Sequence, residues 1–310
     1  MTICAVPSHM RTISPHLAGA GKSGKMKLIG KILLAALLAA VDAASAVAGT
    51  PPQRIVSINL CSDVLALELA DPGTVKSVFR VAADPEDSPV ADLAAKLPLN
   101  NATAEDILSA KPDLVLAHRY SSPFTLALLA RAHVPVVQVK DASSFEDIRD
   151  NVRAVAAAIG HPERGEAWIA RFDASLAASK RLPPAHPLRA VIYQDLGGAA
   201  AANTILGALL KHAGFENVVE TPSSGGFVNL TIEELIDMRP DFVAVGVYRA
   251  HEPSLAHAQL AHPALRDYVA HHARAVDLPA KLWTCGTPFI ADIADRLAAA
   301  RDSFDGPKVN

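Results

Sequence analysis

A fifteen-residue phrase occurs twice in this chain and constrains its fold more than any other feature. "TAEDILSAKPDLVLA" spans residues 103–117, and "TIEELIDMRPDFVAV" spans residues 231–245. Five of the fifteen positions are identical, and most of the others exchange similar side chains. Each copy combines a helix start, a Pro-Asp stop and an apolar run typical of a buried strand. The repeat therefore predicts two lobes that share one α/β plan.

Apolar runs and helix-like segments alternate through both halves of the chain. Strands are predicted at 54–59, 75–79, 113–117 and 134–139, and again at 189–193, 241–245 and 274–278. Helices are predicted at 62–70, 104–110, 124–132, 204–213, 232–238, 255–260 and 288–301. Nearly continuous apolar strands separated by helices are typical of parallel sheets covered on both faces. The predicted fold class is α/β, with a central, mostly parallel sheet flanked by helices in each lobe.

The segment between the two halves is predicted to be helical and not a flexible linker. Ser144 can cap a helix that runs to about Ile159 and ends at Gly160. A second helix at about 163–181 carries an apolar stripe at 3.6-residue spacing. The stripe consists of Trp168, Ile169, Phe172 and Leu176. Flexible linkers are rich in Gly and Ser, so we expect one rigid backbone helix to join the lobes.

These patterns divide the chain into five predicted parts. They are a leader at 1–48, a first lobe at 49–142, a helix pair at 143–185, a second lobe at 186–304 and a tail at 305–310. In the leader, Lys27 and Lys31 accompany an apolar stretch of ten residues at 32–41, and Ala46-Val47-Ala48 follows. About 20 residues are needed to span a bilayer. The leader therefore predicts a secretory signal that starts at Met26 and is cut near Ala48–Gly49; a buried core helix is the alternative.

Export would leave two cysteines in the mature chain, Cys61 and Cys285. An even pair in an oxidising compartment is compatible with a disulfide that joins the lobes and limits their opening. Two free, small apolar side chains are a second interpretation, and thiol contacts to a ligand are a third.

Composition and motifs exclude several functions. The formal net charge is −3 and aromatic residues make up 5% of the chain, which does not favour nucleic-acid binding. No G-x-S-x-G or H-E-x-x-H motif is present, and no G-x-G-x-x-G follows the first predicted strand. An enzyme would have to rely on Cys61 as a nucleophile at a helix start. His251, His257 and His262 lack the spacing of a zinc site, so no metal centre is predicted.

Ligands of open α/β sheets bind beyond the carboxyl ends of the strands. That rule selects Asn59, Cys61, Arg80, Arg119, Tyr120, Gln194, Phe227, Tyr248, Arg249 and Trp283 as candidate ligand-binding residues. An Arg–Tyr pair follows the equivalent strand of each lobe. Such pairs suit a bulky, planar ligand with polar edges; bonds from each Arg to a nearby acid or carbonyl are the alternative.

The two copies of the phrase also present an acid at the same point. Capping boxes are predicted for Thr103 with Asp106 and for Thr231 with Glu234. They leave Glu105 and the equivalent Glu233 exposed on the first helical turn. An acid at this position complements the helix dipole, but its recurrence in both lobes suggests a shared role.

Residues 52–302 resemble the periplasmic binding proteins that serve ABC importers of iron–siderophore complexes and cobalamin. The resemblance rests on "RIVSINLCSDVLALELADP", both repeat phrases, the long helix between them and "LWTCGTPF" at 282–289. It implies a monomeric clamp of two lobes joined by one helix, with a metal chelate in the cleft and no other cofactor. It also implies that Glu105 and Glu233 meet arginines of the importer's permease dimer. A binding protein for haem or a free metal ion, and an exported enzyme, are the alternatives.

Overall fold

A computed structural model describes residues 50–220, 226–247 and 261–305 of this 310-residue chain. The predicted leader, the helix predicted at 255–260, and both Tyr248 and Arg249 lie outside the described residues. From Thr50 onward the chain forms one compact unit.

The first sheet contains five parallel strands in the order β3-β2-β1-β4-β5. They are β1 Ile55–Ser57, β2 Val75–Phe79, β3 Leu99–Asn100, β4 Leu114–His118 and β5 Val136–Val139. Each strand of the central pair, β1 and β4, is buried along its whole length. The uninterrupted apolar runs in the sequence reflect this burial on both faces.

The second sheet follows the order β11-β10-β6-β7-β9, and β8 pairs with β6. Its strands are β6 Leu188–Gln194, β7 Gly198–Ala200, β8 Phe215–Asn217, β9 Phe227–Asn229, β10 Phe242–Val247 and β11 Arg274–Pro279. β6, β8, β10 and β11 are parallel, whereas β7 is antiparallel to β6 and β9. The predicted fold class, two lobes with mostly parallel sheets, is confirmed.

Helices cover both faces of each sheet within the described residues. In chain order they are α1 Leu60–Leu69, α2 Ala91–Ala94, α3 Ala104–Ser109, α4 Pro123–Arg131, α5 Phe145–Ala158, α6 Pro162–Ser179, α7 Ile205–His212, α8 Ile232–Asp237, α9 Pro263–His272, α10 Ala280–Trp283 and α11 Ala291–Asp305. Short 3-10 turns occupy Arg80–Ala83, Asp195–Gly197 and Pro288–Ile290. None of these helices combines the length and the apolar character required to cross a membrane.

Helix α6 has 18 residues and connects the cores of the two lobes. Its Trp168 and Ile169 pack in the core beneath the first sheet, whereas Phe172 and Leu176 pack in the core beneath the second. At a rise of about 1.5 Å per residue the helix is about 27 Å long. The apolar stripe predicted from the sequence is therefore split between two cores. Both sheets fall inside the predicted lobe boundaries, which remain our proposal.

A glycine in the first turn of α6 allows that helix to approach α5 closely. A β-carbon at Gly165 would lie 2.6 Å from the Ala156 β-carbon, closer than real carbon atoms approach. The sequence pattern predicts a regular helix here and does not reveal the contact. Gly165 therefore lets α5 and α6 pack as a tight helix pair.

The repeat phrase forms the same bonded unit in both lobes. Asp113 accepts hydrogen bonds from the backbone of Gln53 and Arg54, and Asp241 accepts one from Arg189 N at 2.9 Å. Each Asp thus ties its strand to the amino end of the neighbouring strand. These backbone bonds explain why the Pro-Asp pair occurs in both copies.

The residue before each Pro-Asp pair adopts the left-handed backbone region. Lys111 has a φ of 48° and Arg239 a φ of 49°, although neither is a glycine. Arg54 Nε donates to Lys111 O at 2.9 Å, and Arg189 Nη2 donates to Met238 O at 2.8 Å. An arginine at the start of the adjacent strand therefore satisfies carbonyls at the end of each helix that would otherwise lack a partner.

The helix caps of the two copies differ in one respect. In the second copy Thr231 and Glu234 form the complete, reciprocal box. In the first copy Thr103 Oγ1 accepts from Asp106 N, but the Asp106 carboxylate bonds to Asn101 instead. Of the capping box predicted for Thr103 and Asp106, the bond from Asp106 N to Thr103 is present, but the predicted return bond to the Asp106 carboxylate is wrong. The shorter aspartate side chain accepts from the chain entering the helix.

Candidate functional site

A cavity of about 640 Å³ lies where strands of both sheets end. The first half of the chain contributes Asn59, Cys61, His118, Tyr120, Asp141, Ala142 and Ser143 to its lining. The second half contributes Gln194, Asn203, Thr204, Ile205, Leu206, Gly226, Phe227, Trp283, Thr284, Cys285 and Gly286. Its position agrees with the rule for open α/β sheets, and its volume is within the usual range for small-molecule sites.

Six of the ten predicted ligand-binding residues line this cavity. They are Asn59, Cys61, Tyr120, Gln194, Phe227 and Trp283. Arg80 and Arg119 do not line it; the Arg80 guanidinium lies 6.0 Å from the centre of the Phe79 ring. Tyr248 and Arg249 lie outside the described residues. The role of the second lobe's Arg–Tyr pair in ligand binding therefore stays a prediction.

A disulfide between Cys61 and Cys285 forms part of the cavity wall. Their Cα atoms are 4.8 Å apart, while 224 residues separate them in the chain. Cys61 lies in the first turn of α1, which Asn59 caps by accepting from Cys61 N at 2.9 Å. Since both sulfurs are bonded, Cys61 is not a thiolate nucleophile, and that enzyme interpretation fails.

The chain beside Cys285 packs against the end of the first lobe. Gly286 has a φ of 51°, and a β-carbon there would lie 2.8 Å from the Ala142 β-carbon. A side chain at position 286 would therefore force the two segments apart. The glycine keeps this wall of the cavity closed.

Four side chains at the ends of β4 and β5 form a polar cluster around Asp141. Tyr120 Oη lies 2.8 Å from Asp141 Oδ2, and His118 Nε2 lies 3.4 Å from Asp141 Oδ1. Arg119 Nη1 is 3.2 Å from Asp141 Oδ2, and its guanidinium lies 5.1 Å from the centre of the Tyr120 ring. Asp141 therefore contacts all three neighbouring side chains. Arg119 pairs with this nearby acid, as the alternative to ligand binding predicted.

The environment of this cluster shifts two of its pKa values. Burial lowers the pKa of His118, and the nearby Arg119 lowers it further while Asp141 partly compensates. The hydrogen bond to Asp141 raises the pKa of Tyr120. His118 Nδ1 accepts from Tyr120 N at 3.4 Å, which assigns the remaining ring proton to Nε2 beside Asp141. A neutral imidazole thus orients Asp141, and Asp141 orients a protonated phenol whose residue is 72% exposed.

On the opposite wall, Gln194 and Trp283 present a polar group and a flat apolar group. The Nε2 atom of Gln194 is buried and has no hydrogen-bond partner among the described residues. Trp283, a predicted ligand-binding residue, belongs to both the cavity wall and the core. It lines the cavity, packs in the second core with 5% exposure, and donates from Nε1 to Leu278 O at 3.1 Å. Gly246 leaves the space that its ring occupies.

The strand-end rule could have found two residues that sequence reasoning missed. His118 is the last residue of β4, which was predicted to end one residue earlier. Asp141 follows β5 in the same way as Tyr120 follows β4. Ser143, Asn203 and Thr204 also line the cavity. They precede helices, and nothing in their local pattern distinguishes them from ordinary helix starts.

Glu105 and Glu233 both lie on the first turn of a short helix and are exposed. Neither lines the cavity. In the described parts of the chain, no group of three or more His, Cys, Asp or Glu side chains is arranged to hold a metal ion. His251 and His257 lie outside those parts.

Comparison with known proteins identifies the family. A family model described as "Periplasmic binding protein" matches residues 55–257. A cobalamin-binding protein of Halobacterium salinarum is 24% identical over 200 residues, which are 63% of this chain and 54% of that protein. The match thus spans about half the length of this relative. A vitamin B12-binding protein of Pectobacterium atrosepticum is 27% identical over 209 residues. The match covers 63% of this chain and 72% of that protein.

Solved structures share the fold. The periplasmic heme-binding protein RhuT from Roseiflexus sp. RS-1 is 26% identical with a TM-score of 0.68, and the match covers 81% of this chain and 98% of that one. The heme-binding protein BhuT, solved with two hemes, has the same coverage, 24% identity and a TM-score of 0.65. Since the family model covers well over half of the residues, the chain belongs to the periplasmic binding protein family, and the curated relatives that it matches are named as binding proteins.

Proposed function

We propose that this protein captures a metal chelate of the iron–siderophore or cobalamin type and delivers it to an ABC importer. The observation that carries the proposal is the cavity that both lobes line with aromatic and hydrogen-bonding side chains. The cobalamin- and vitamin B12-binding relatives support the ligand class. On this proposal the protein works in the periplasm as a monomer, after a signal is removed near Ala48.

The chemistry of the wall suits a large ligand with flat apolar surfaces and polar edges. Phe227 and Tyr120 are 51% and 72% exposed and offer ring faces, and Trp283 offers a third. The free Nε2 donor of Gln194 would bond a carbonyl or carboxylate of the ligand, because a buried donor without a partner is costly. The cluster around Asp141 would hold the opposite edge.

Haem is the second candidate ligand. The specific observation is Tyr120, whose phenol projects into the cavity while Asp141 accepts its hydrogen bond. A phenol held in this way can transfer its proton towards the carboxylate when a metal replaces it. Two structural neighbours are named as heme-binding proteins. A free metal ion has less support, since no cluster of metal-ligating side chains occurs among the described residues.

Ligand identity is tested by titrating the purified protein with cobalamin, haem and several ferric siderophores in a calorimeter. We expect one class to bind, and we expect Tyr120→Ala to weaken that binding about tenfold, the equivalent of about 1.4 kcal/mol. A Trp168→Phe variant leaves Trp283 as the only tryptophan, so ligand-dependent quenching in this variant reports on the cavity. Leu182→Ala is the control, because Leu182 is 78% exposed and does not line the cavity. Absence of binding by all three classes would contradict the proposal.

Docking is tested by a Glu105→Ala and Glu233→Ala double variant. We expect uptake of the chelate to fall severalfold while ligand affinity stays unchanged, because the acids would orient the protein over its partner through charge pairs. Asp292→Ala removes an exposed acid from the first turn of another helix and serves as the control. If uptake persists in the double variant, the two acids only complement their helix dipoles.

A further inference from the structure

Two exposed apolar side chains lie beside the helix starts that carry Glu105 and Glu233. Phe124 is 74% exposed at the start of α4, and Leu196 is 73% exposed in the turn after β6. Single exposed apolar residues are ordinary on protein surfaces. The positions of these two residues, and not their exposure alone, distinguish them.

In the first lobe, one hydrogen bond fixes Phe124 next to the acidic helix start. Thr125, the following residue, is buried and donates from Oγ1 to Ala102 O at 3.2 Å. Ala102 precedes Glu105 by three residues. Helix α3, which carries Glu105, also packs against α4. Phe124 and Glu105 therefore share one corner of this lobe.

In the second lobe, a different set of elements produces the same arrangement. Leu230 N donates to Gly197 O at 2.8 Å. Gly197 follows Leu196, and Leu230 precedes Glu233 by three residues. An exposed apolar residue is thus again held beside the segment that enters the acidic helix.

The backbone of Leu196 is strained in a way that favours a role for its side chain. Its φ of 61° lies in the left-handed region, which is rare for residues other than glycine and costly for a leucine. The side chain nevertheless contributes little packing, since it is 73% exposed. A strained and exposed leucine is more readily explained by a contact outside this chain than by stability.

We propose that Phe124 and Leu196 are apolar anchors through which both lobes seat on the membrane permease. This inference rests on the proposed docking role of Glu105 and Glu233. Exposed ion pairs add little affinity and mainly set orientation, whereas buried aromatic and apolar side chains dominate interface affinity. The partner surface would present, for each lobe, a basic side chain next to an apolar recess.

Photo-crosslinking tests where the anchors bind. The full chain, with benzoylphenylalanine at position 124 or 196, is expressed in cells of its source organism and irradiated. We expect crosslinks to a transmembrane subunit of an ABC importer, identified by mass spectrometry. The same probe at Leu182, which is equally exposed but belongs to another surface, should give none. Crosslinks only to a second copy of this chain or to soluble proteins would overturn the inference.

Substitutions measure the contribution of the anchors. Phe124→Ser and Leu196→Ser should each raise about tenfold the concentration of loaded protein that gives half-maximal uptake into spheroplasts. Leu196→Gly should act like Leu196→Ser, because the side chain and not the strain matters. Leu182→Ser should have no effect. All four purified variants should bind the chelate as the unsubstituted protein does.

The outcomes separate this inference from the proposed function. If Glu105→Ala with Glu233→Ala impairs uptake while Phe124→Ser and Leu196→Ser do not, the anchors are refuted and the acidic docking stands. If neither set impairs uptake, both docking claims fall. Failure of the purified protein to bind any chelate would refute the proposed function. The crosslinks would still show whether positions 124 and 196 contact the permease.

Discussion

Replacing both Cys61 and Cys285 by serine is expected to lower the free energy of unfolding by about 2–5 kcal/mol. The disulfide closes a loop of 224 residues, so its removal frees a large part of the unfolded chain. Urea unfolding of the purified protein measures the change. Because the bond lies in the cavity wall, we also expect weaker chelate binding by a less ordered cleft.

Reduction provides the matched control for this variant. Dithiothreitol should destabilise the unsubstituted protein by a similar amount and leave the double-serine variant unchanged. Two free thiols in the exported protein, detected by mass spectrometry without reductant, would contradict the disulfide.

An Asp63→Asn substitution is expected to stabilise the protein at neutral pH by about 2–4 kcal/mol. Asp63 is fully buried in α1; its Oδ1 accepts from Phe79 N at 3.3 Å, and its Oδ2 has no hydrogen-bond partner among the described residues. Burial raises the pKa of Asp63 from 3.8 to about 8, although the Ser57 hydroxyl and the Phe79 N–H oppose the shift. At neutral pH the folded protein must therefore keep a proton that the unfolded chain releases.

The pH dependence gives the sign of this effect. Between about pH 4 and pH 8 the folded state binds the extra proton, so stability is full below pH 4 and falls by about 1.4 kcal/mol per pH unit as pH rises. The amide introduced by Asp63→Asn does not titrate, so it should remove the loss of stability that Asp63 causes as pH rises. We expect the difference between variant and unsubstituted protein to grow from pH 4 to pH 8 in urea unfolding. Asp292→Asn, on the surface, should change stability by less than about 0.5 kcal/mol. A difference independent of pH would contradict the buried-proton account.

The strands of the parallel sheets were predictable because burial on both faces leaves a clear signal. The apolar run predicted at 75–79 is β2 without any change of bounds. The antiparallel pair β7 and β9 was missed, because "GAA" and "FVN" are too short to show alternation. Helix α9 was missed for another reason: it buries only Leu265 and Tyr268, so its sequence resembles a polar loop.

The cavity was predictable in position but less so in composition. The strand-end rule placed Tyr120 and Gln194 on the wall, since that rule depends only on topology. It could not tell that Arg119 turns towards Asp141, because the partner is 22 residues away in sequence and adjacent only in the sheet. Side-chain pairing across strands is a property of the folded register, which the sequence pattern does not reveal.

We expect helix α6 to couple the unfolding of the two lobes. Half of its apolar stripe belongs to one core and half to the other. A helix of about nine residues, left when one lobe opens, is too short to persist in water. Loss of either lobe would therefore destabilise the adjoining half of α6 and, through it, the remaining lobe. We expect a single unfolding transition from a molecule with two sheets, so the junction between the lobes also serves as their common folding unit.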